Sequence, residues 1–111
     1  MNQAEYPQKT CSIERLITRQ EDVQRVLAGK KKAQRRNGLY AYPGEQMILE
    51  NQPFIITAVY RQTLGAMNDR DAVQEGQIDK KAYMSYLNHI HPGVPWSFDM
   101  VMWVHEFERA T

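Results

Sequence analysis

Residues 29–36 read GKKKAQRR, so five of the seven side chains that follow the glycine are cationic. Such a run is either a solvated basic face or one wall of a site that receives an anion, such as a nucleotide phosphate. With Arg25 added, six of the fourteen Lys and Arg residues fall within twelve positions, although the net charge is only +1. The carboxylates gather later, at Asp69, Asp71, Glu75 and Asp79. A balanced total with local asymmetry points to a specific anionic partner more than to a coat for DNA, whose whole domain is usually basic. Tyr40 and Tyr42, beside Pro43, offer ring faces on which a base could stack, or simple packing at a rim. Trp96 and Trp103 read better as packing than as base platforms. His89, His91 and His105 do not make a metal set, because His89 and His91 flank one residue at a helix end and no Cys or Asp completes them. No metal or cofactor is expected. Cys11 and Ser12 lack a nearby base and are poor nucleophile candidates.

These side chains need elements to position them. TRQEDVQRVLAG predicts a short helix, with Thr18 and Glu21 as a capping box, Val23, Val26 and Leu27 as the apolar stripe and Gly29 as the left-handed stop. Lys30 and Lys31 would then sit where a helix C-terminus favours cations. Residues 32–37 predict a strand whose alternation sends Lys32, Gln34 and Arg36 to one face and Ala33 and Arg35 to the other. QMILE and FIITAVYRQ predict two antiparallel strands joined at Asn-Gln-Pro, the second apolar on both faces and therefore central. One helix is expected from Asn68 or Asp69 to about Glu75. Another starts at Asp79, carries Tyr83, Tyr86, Leu87 and Ile90, and is broken by HPGVPW; MVMWVHEF closes the chain as a strand.

The 111 residues, 42% of them apolar, fit one α+β domain with a curled, barrel-like sheet and a single modest core, residues 1–10 being the loose start. The lone Cys11 excludes an internal disulfide framework and suits a reducing cytosol. No apolar run reaches the length of a membrane span, and MNQAEYPQKT lacks the hydrophobic core of a signal peptide, so a soluble cytoplasmic protein is expected. Composition leaves the oligomeric state open.

Taken in order, LAGKKKAQRR after a helix, GLYAYPGE before a strand, a central V-Y strand, DAVQEG, an aromatic helix and a terminal W-V-x-x-F strand resemble the ASCH family of the PUA-like superfamily, over residues 14–108. The resemblance implies a small β-barrel with peripheral helices and a role in RNA metabolism. It includes bacterial amidohydrolases that deacetylate N4-acetylcytidine, with a pattern like G-x-K-T-x-T-x-R and a distant Glu. On this chain the pattern's Lys falls on Lys31, its Arg on Arg36 and the Glu on Glu75. The nucleophilic Thr falls on Gln34, and the other Thr on Lys32.

Gln34 has no hydroxyl, so the acyl-enzyme route is closed at that position. Glu75 acting as general base on a water, with Lys31 or Arg36 stabilising the oxyanion, is the remaining hydrolytic chemistry. Three functions stay open. The first is an RNA or modified-nucleoside binding domain, with Lys31 and Arg36 in the pocket, Lys30, Lys32 and Arg35 as rim or phosphate contacts, and Tyr40 and Tyr42 as stacking faces. The second is an amidohydrolase working through Lys31 and Glu75. The third is a protein-interaction module that keeps only the fold. A basic groove with stacked Tyr would favour the first, a closed pocket with Lys31 and Glu75 in contact the second, and a filled pocket the third.

Overall fold

Helix α1 (Gln20–Leu27) buries Asp22, Val23 and Val26, which helical spacing places on one face. The computed structural model describes residues 6–110. Gly29, at φ +77°, ends α1 as expected. The expected capping box is absent: the N-cap position is Arg19, no side chain caps it, and Glu21 instead accepts a hydrogen bond from Arg19 Nε at 3.1 Å. The helix begins one residue later than the box requires, so Thr18 is not the N-cap and Glu21 is the second helical residue.

Strands β1 (Ala33–Arg36), β2 (Gln46–Leu49), β3 (Gln52–Thr63) and β4 (Val101–Arg109) form one antiparallel sheet in the order β1-β4-β3-β2, curled into a half-barrel. The β2–β3 turn is Glu50–Asn51, both at positive φ, with Gln52 and Pro53 already inside β3. That geometry is the one a two-residue hairpin favours, and it starts the turn one residue before the Asn-Gln-Pro signal suggests. β3 is not apolar on both faces. Phe54 and Ile56 are buried, a register shift intervenes before Ala58, and the next core residue is Val59. The bulge changes the phase of the alternation, so one buried face reads in sequence as two.

Helices α2 (Asp69–Gln74) and α3 (Lys80–Ile90) carry the caps that α1 lacks. Asn68 accepts from the Asp71 N–H while Asp71 accepts from the Asn68 N–H, a reciprocal capping box, and Asp79 accepts from the Ala82 N–H. Leu64, Met67, Ala72, Tyr83 and Leu87 pack as one cluster between these helices; a larger cluster joins α1 to β2 and β3 through Val26, Leu39, Ile56 and Phe107. The loose start falls partly outside the described residues. Within them, Tyr6 packs against Tyr42 and Trp103, Lys9 pairs with Glu45 at 2.6 Å, and the Thr10 N–H donates to the Leu39 carbonyl. Among the described residues no helix is long and apolar enough to cross a membrane.

His105 of β4 is fully buried and tied to backbone on both sides. Nε2 accepts from the Tyr40 N–H at 3.1 Å, which leaves the ring proton on Nδ1 to donate to the Gln34 carbonyl at 3.2 Å. Burial outweighs the bond to the Gln34 carbonyl and pushes the imidazole down from 6.5 to about 4. Above pH 6.5 both folded and unfolded states hold it neutral; between 6.5 and 4 only the unfolded state binds the proton. Stability is therefore full above 6.5 and falls on acidification to about pH 4, by on the order of 3 kcal/mol. Urea unfolding of wild type and His105→Gln across that range should show the extra loss in wild type alone. Parallel curves would count against it.

Candidate functional site

The chain between α1 and β1 is fixed by its backbone before any side chain acts. The N–H groups of Lys30 and Lys31 donate to the Arg25 carbonyl at 2.9 and 3.1 Å, closing α1. The Lys32 N–H donates to the Gln74 carbonyl at the end of α2, and the Lys32 carbonyl accepts from the Phe107 N–H of β4. Lys31 is thereby directed inward. Its ammonium donates to Glu75 Oε1 at 2.9 Å and to the Glu75 carbonyl at 3.0 Å. Glu75 is the C-cap of α2, followed by Gly76 at φ +93°, where a side chain would meet Arg25 and Lys31.

Arg35 approaches the same carboxylate from β1, with Nη1 2.9 Å from Glu75 Oε2. Its other nitrogens hold Gln62 Oε1 at 3.1 and 2.8 Å, and Gln62 passes a hydrogen bond to Asp71 at 3.1 Å. Arg35 Nη2 also lies 3.7 Å from Asp71 Oδ1. Lys31, Arg35 and Glu75 are each 3% exposed, so two cations and two carboxylates close a cluster of zero net charge almost wholly out of water.

A cavity of about 400 Å³ opens in front of this cluster. Gln34 and Arg36 of β1 form one side with Lys31, Arg35 and Glu75; Tyr83, Tyr86 and Leu87 of α3 form another; Trp96, from the loop after α3, completes the wall. The Arg36 guanidinium donates to the Leu16 carbonyl at 3.0 and 2.7 Å and lies over the Tyr40 ring. Burial, with Glu75 second, holds the Tyr83 phenol well above its ordinary range, so it is a neutral hydroxyl.

Lys31, Gln34, Arg35, Arg36 and Glu75 thus meet in one place. Lys30 and Lys32 do not: they line a separate outer groove of about 500 Å³ with Arg70, Val73 and Ile78. The expected convergence of Lys32 with Gln34 and Arg36 is corrected accordingly, since Lys31, Ala33 and Arg35 are the buried series and Lys32 is exposed. Arg35 is not at the rim, because its charge is held by Glu75 and Asp71. Tyr40 and Tyr42 also stand apart from the cavity. The Tyr40 ring lies edge-on to His105, and Tyr42 donates to the Pro7 carbonyl and packs on Tyr6, because the Tyr40 backbone is fastened to β4. The accessible aromatic rings come instead from Tyr86 and Trp96, Tyr83 being packed in the cluster between α2 and α3. Tyr83, Leu87 and Ile90 were legible as a helical stripe, but nothing local separates a stripe facing a core from one facing a cavity.

At the level of sequence, no family model and no curated protein matches the chain. Among solved structures, an ASCH domain from Lactobacillus crispatus superposes with a TM-score of 0.60 at 18% identity, over 80% of this chain and 70% of that one. A DUF984 protein from Enterococcus faecalis superposes with a TM-score of 0.56 at 15% identity, over 79% of this chain and 66% of that one. The fold is therefore ASCH-like. At these identities the likeness concerns the fold, and the chain spans about two-thirds of the length of both structures.

Removing one member of the buried cluster should cost more than removing a matched pair. Glu75→Gln leaves Lys31 and Arg35 short of a carboxylate and should destabilise by about 3–5 kcal/mol. Lys31→Met combined with Glu75→Gln should cost less than the sum of the two, with a coupling above about 1 kcal/mol in a denaturant cycle. Strict additivity would show that the two charges do not stabilise each other.

Proposed function

We propose that this chain binds a nucleobase in the cavity between β1 and α3, either in a free modified nucleoside or in a base displayed by single-stranded RNA. The observation that carries the reading is the juxtaposition of Tyr86 and Trp96 with polar side chains held by a rigid ion cluster, in a volume suited to a small ligand. Aromatic faces hold a base by stacking, and fixed polar groups orient it. Lys30, Lys32 and Arg70, on the outer groove, would hold the phosphates of a longer strand by charge alone.

Hydrolysis is the second reading, favoured by the contact between Lys31 and Glu75 in a cavity that is not filled. Two features weigh against it. Position 34 offers a carboxamide where the resemblance calls for a hydroxyl, and each Glu75 oxygen is already engaged by a cation, which leaves it poorly placed to draw a proton from water.

Calorimetric titration with cytidine, uridine and N4-acetylcytidine tests the binding, and Tyr86→Ala should lower affinity roughly tenfold. A wild type that binds no nucleoside and no short RNA would end the proposal. With RNA, Lys30→Ala and Lys32→Ala should each flatten the salt dependence by about 0.7. Acetate release from N4-acetylcytidine separates the two readings: the wild type should be silent, whereas Gln34→Thr supplies the missing hydroxyl and should give measurable turnover that Lys31→Ala removes. Robust wild-type turnover would make the hydrolytic reading the better one.

A further inference from the structure

Two buried side-chain polar atoms among the described residues lack a hydrogen-bond partner, Gln34 Oε1 and Trp96 Nε1. Both residues line the same cavity. They arrive from unrelated parts of the chain, Gln34 from the edge strand β1 and Trp96 from the loop between α3 and β4. A buried polar atom left unpaired costs about 1–3 kcal/mol, and native proteins hold few of them. Elsewhere in the cavity wall most charges are matched, Lys31 and Arg35 by Glu75 and Asp71, Arg19 by Glu21, and Asp22 by Arg25, while Arg36 keeps its charge and donates to the Leu16 and Arg15 carbonyls. In hydrogen bonding, what the wall leaves buried and unpaired among the described residues is one neutral acceptor and one neutral donor.

From this we infer that Gln34 and Trp96 are the specificity pair of the cavity: its ligand is an uncharged planar heterocycle that gives an N–H to Gln34 Oε1 and accepts from Trp96 Nε1 through a carbonyl or ring nitrogen. The inference rests on the nucleobase reading above and specifies how the base is told apart. Neither atom is reached by solvent in this conformation, so the Trp96 indole shifts with its loop and the Gln34 carboxamide turns to meet the ligand. It is free to do so at small cost. Its only hydrogen bond among the described residues runs from Nε2 to the adjacent Arg35 carbonyl at 3.2 Å, while its backbone carbonyl stays fixed by His105. Trp96 sits in a loop rich in Pro and Gly, its indole tilted against His91. Position 34, which closes the acyl route, is on this view a recognition residue.

Titration with uridine and 3-methyluridine, which lacks the ring N–H, tests the pair. Wild type should prefer uridine by roughly tenfold, the value of one hydrogen bond that would otherwise leave a buried group unpaired. Gln34→Leu, with Gln34→Met as its alternative should the first fold poorly, should weaken uridine roughly tenfold and leave 3-methyluridine nearly unchanged, so the preference disappears. Trp96→Phe should weaken both nucleosides. Without ligand, Gln34→Leu should melt at or above the wild-type temperature, since it removes an unpaired atom; a clear drop would mean that the carboxamide serves the fold and would overturn the inference. So would an unchanged preference for uridine in Gln34→Leu while wild type binds both. Failure of wild type to bind any nucleoside would instead remove the nucleobase reading itself, and this inference with it.

Discussion

Glu75 accepts one cation from the α1–β1 connection and another from β1, and the remainder of the site depends on that bifurcated contact. Taking two cations out of water costs several kcal/mol each, and the attraction repays this only where every charge is matched and hydrogen-bonded. Here the match is complete. Lys31 has a carboxylate oxygen and a carbonyl, Arg35 has a carboxylate, an amide and a second carboxylate, and the sum is zero. Asp71 serves twice, since the carboxylate that caps α2 also faces Arg35 and Gln62. The cluster thereby joins the sheet, the end of α2 and the start of β1 into one rigid wall.

That wall decides what GKKKAQRR does. A run of five cations cannot be buried together, and backbone hydrogen bonds from Lys30, Lys31 and Lys32 divide it between two environments. Lys31 and Arg35 are consumed by internal acids, Lys30 and Lys32 are left on the outside, and Arg36 lies between, held by carbonyls that satisfy its donors without cancelling its charge. One contiguous stretch thus supplies both an inner cavity, where Lys31 and Arg35 are paired and Arg36 keeps its charge, and a charged outer groove. In the function proposed above, phosphates go to the second and a neutral base to the first.

Much of this order was legible in the sequence. The α+β class, the strands, and the ends of α2 and α3 follow from period, Asn and Asp caps, and glycine stops, all of which are local signals. One misreading is local: Thr18 and Glu21 carry the spacing of a cap, yet the helix begins one residue later, behind Arg19. The others have non-local causes. The bulge before Ala58 hides a single buried face behind an apolar run. Tyr40 and Tyr42 stand next to the basic segment in sequence and away from its cavity in space, because His105, sixty-five residues beyond Tyr40, holds that loop to β4. Lys31 and Glu75 were paired through the resemblance, and Arg35 was set outside, because period-two alternation fixes which residues share a face and leaves open which face is inside.

His105 also explains why one residue can be both rigid and adaptable. Its ring fixes the Gln34 main chain from the side of β4, and β1 pairs with β4 at that same register position. Backbone placement at position 34 is therefore set by two strands and a buried imidazole, whereas the carboxamide beyond it is held by a single bond to a neighbouring carbonyl. A fixed backbone below a lightly held polar group lets a wall discriminate between ligands without deforming. A threonine at the same point would be placed with the same accuracy. Whether position 34 recognises or attacks is then set by its side chain, on a backbone that would serve either chemistry.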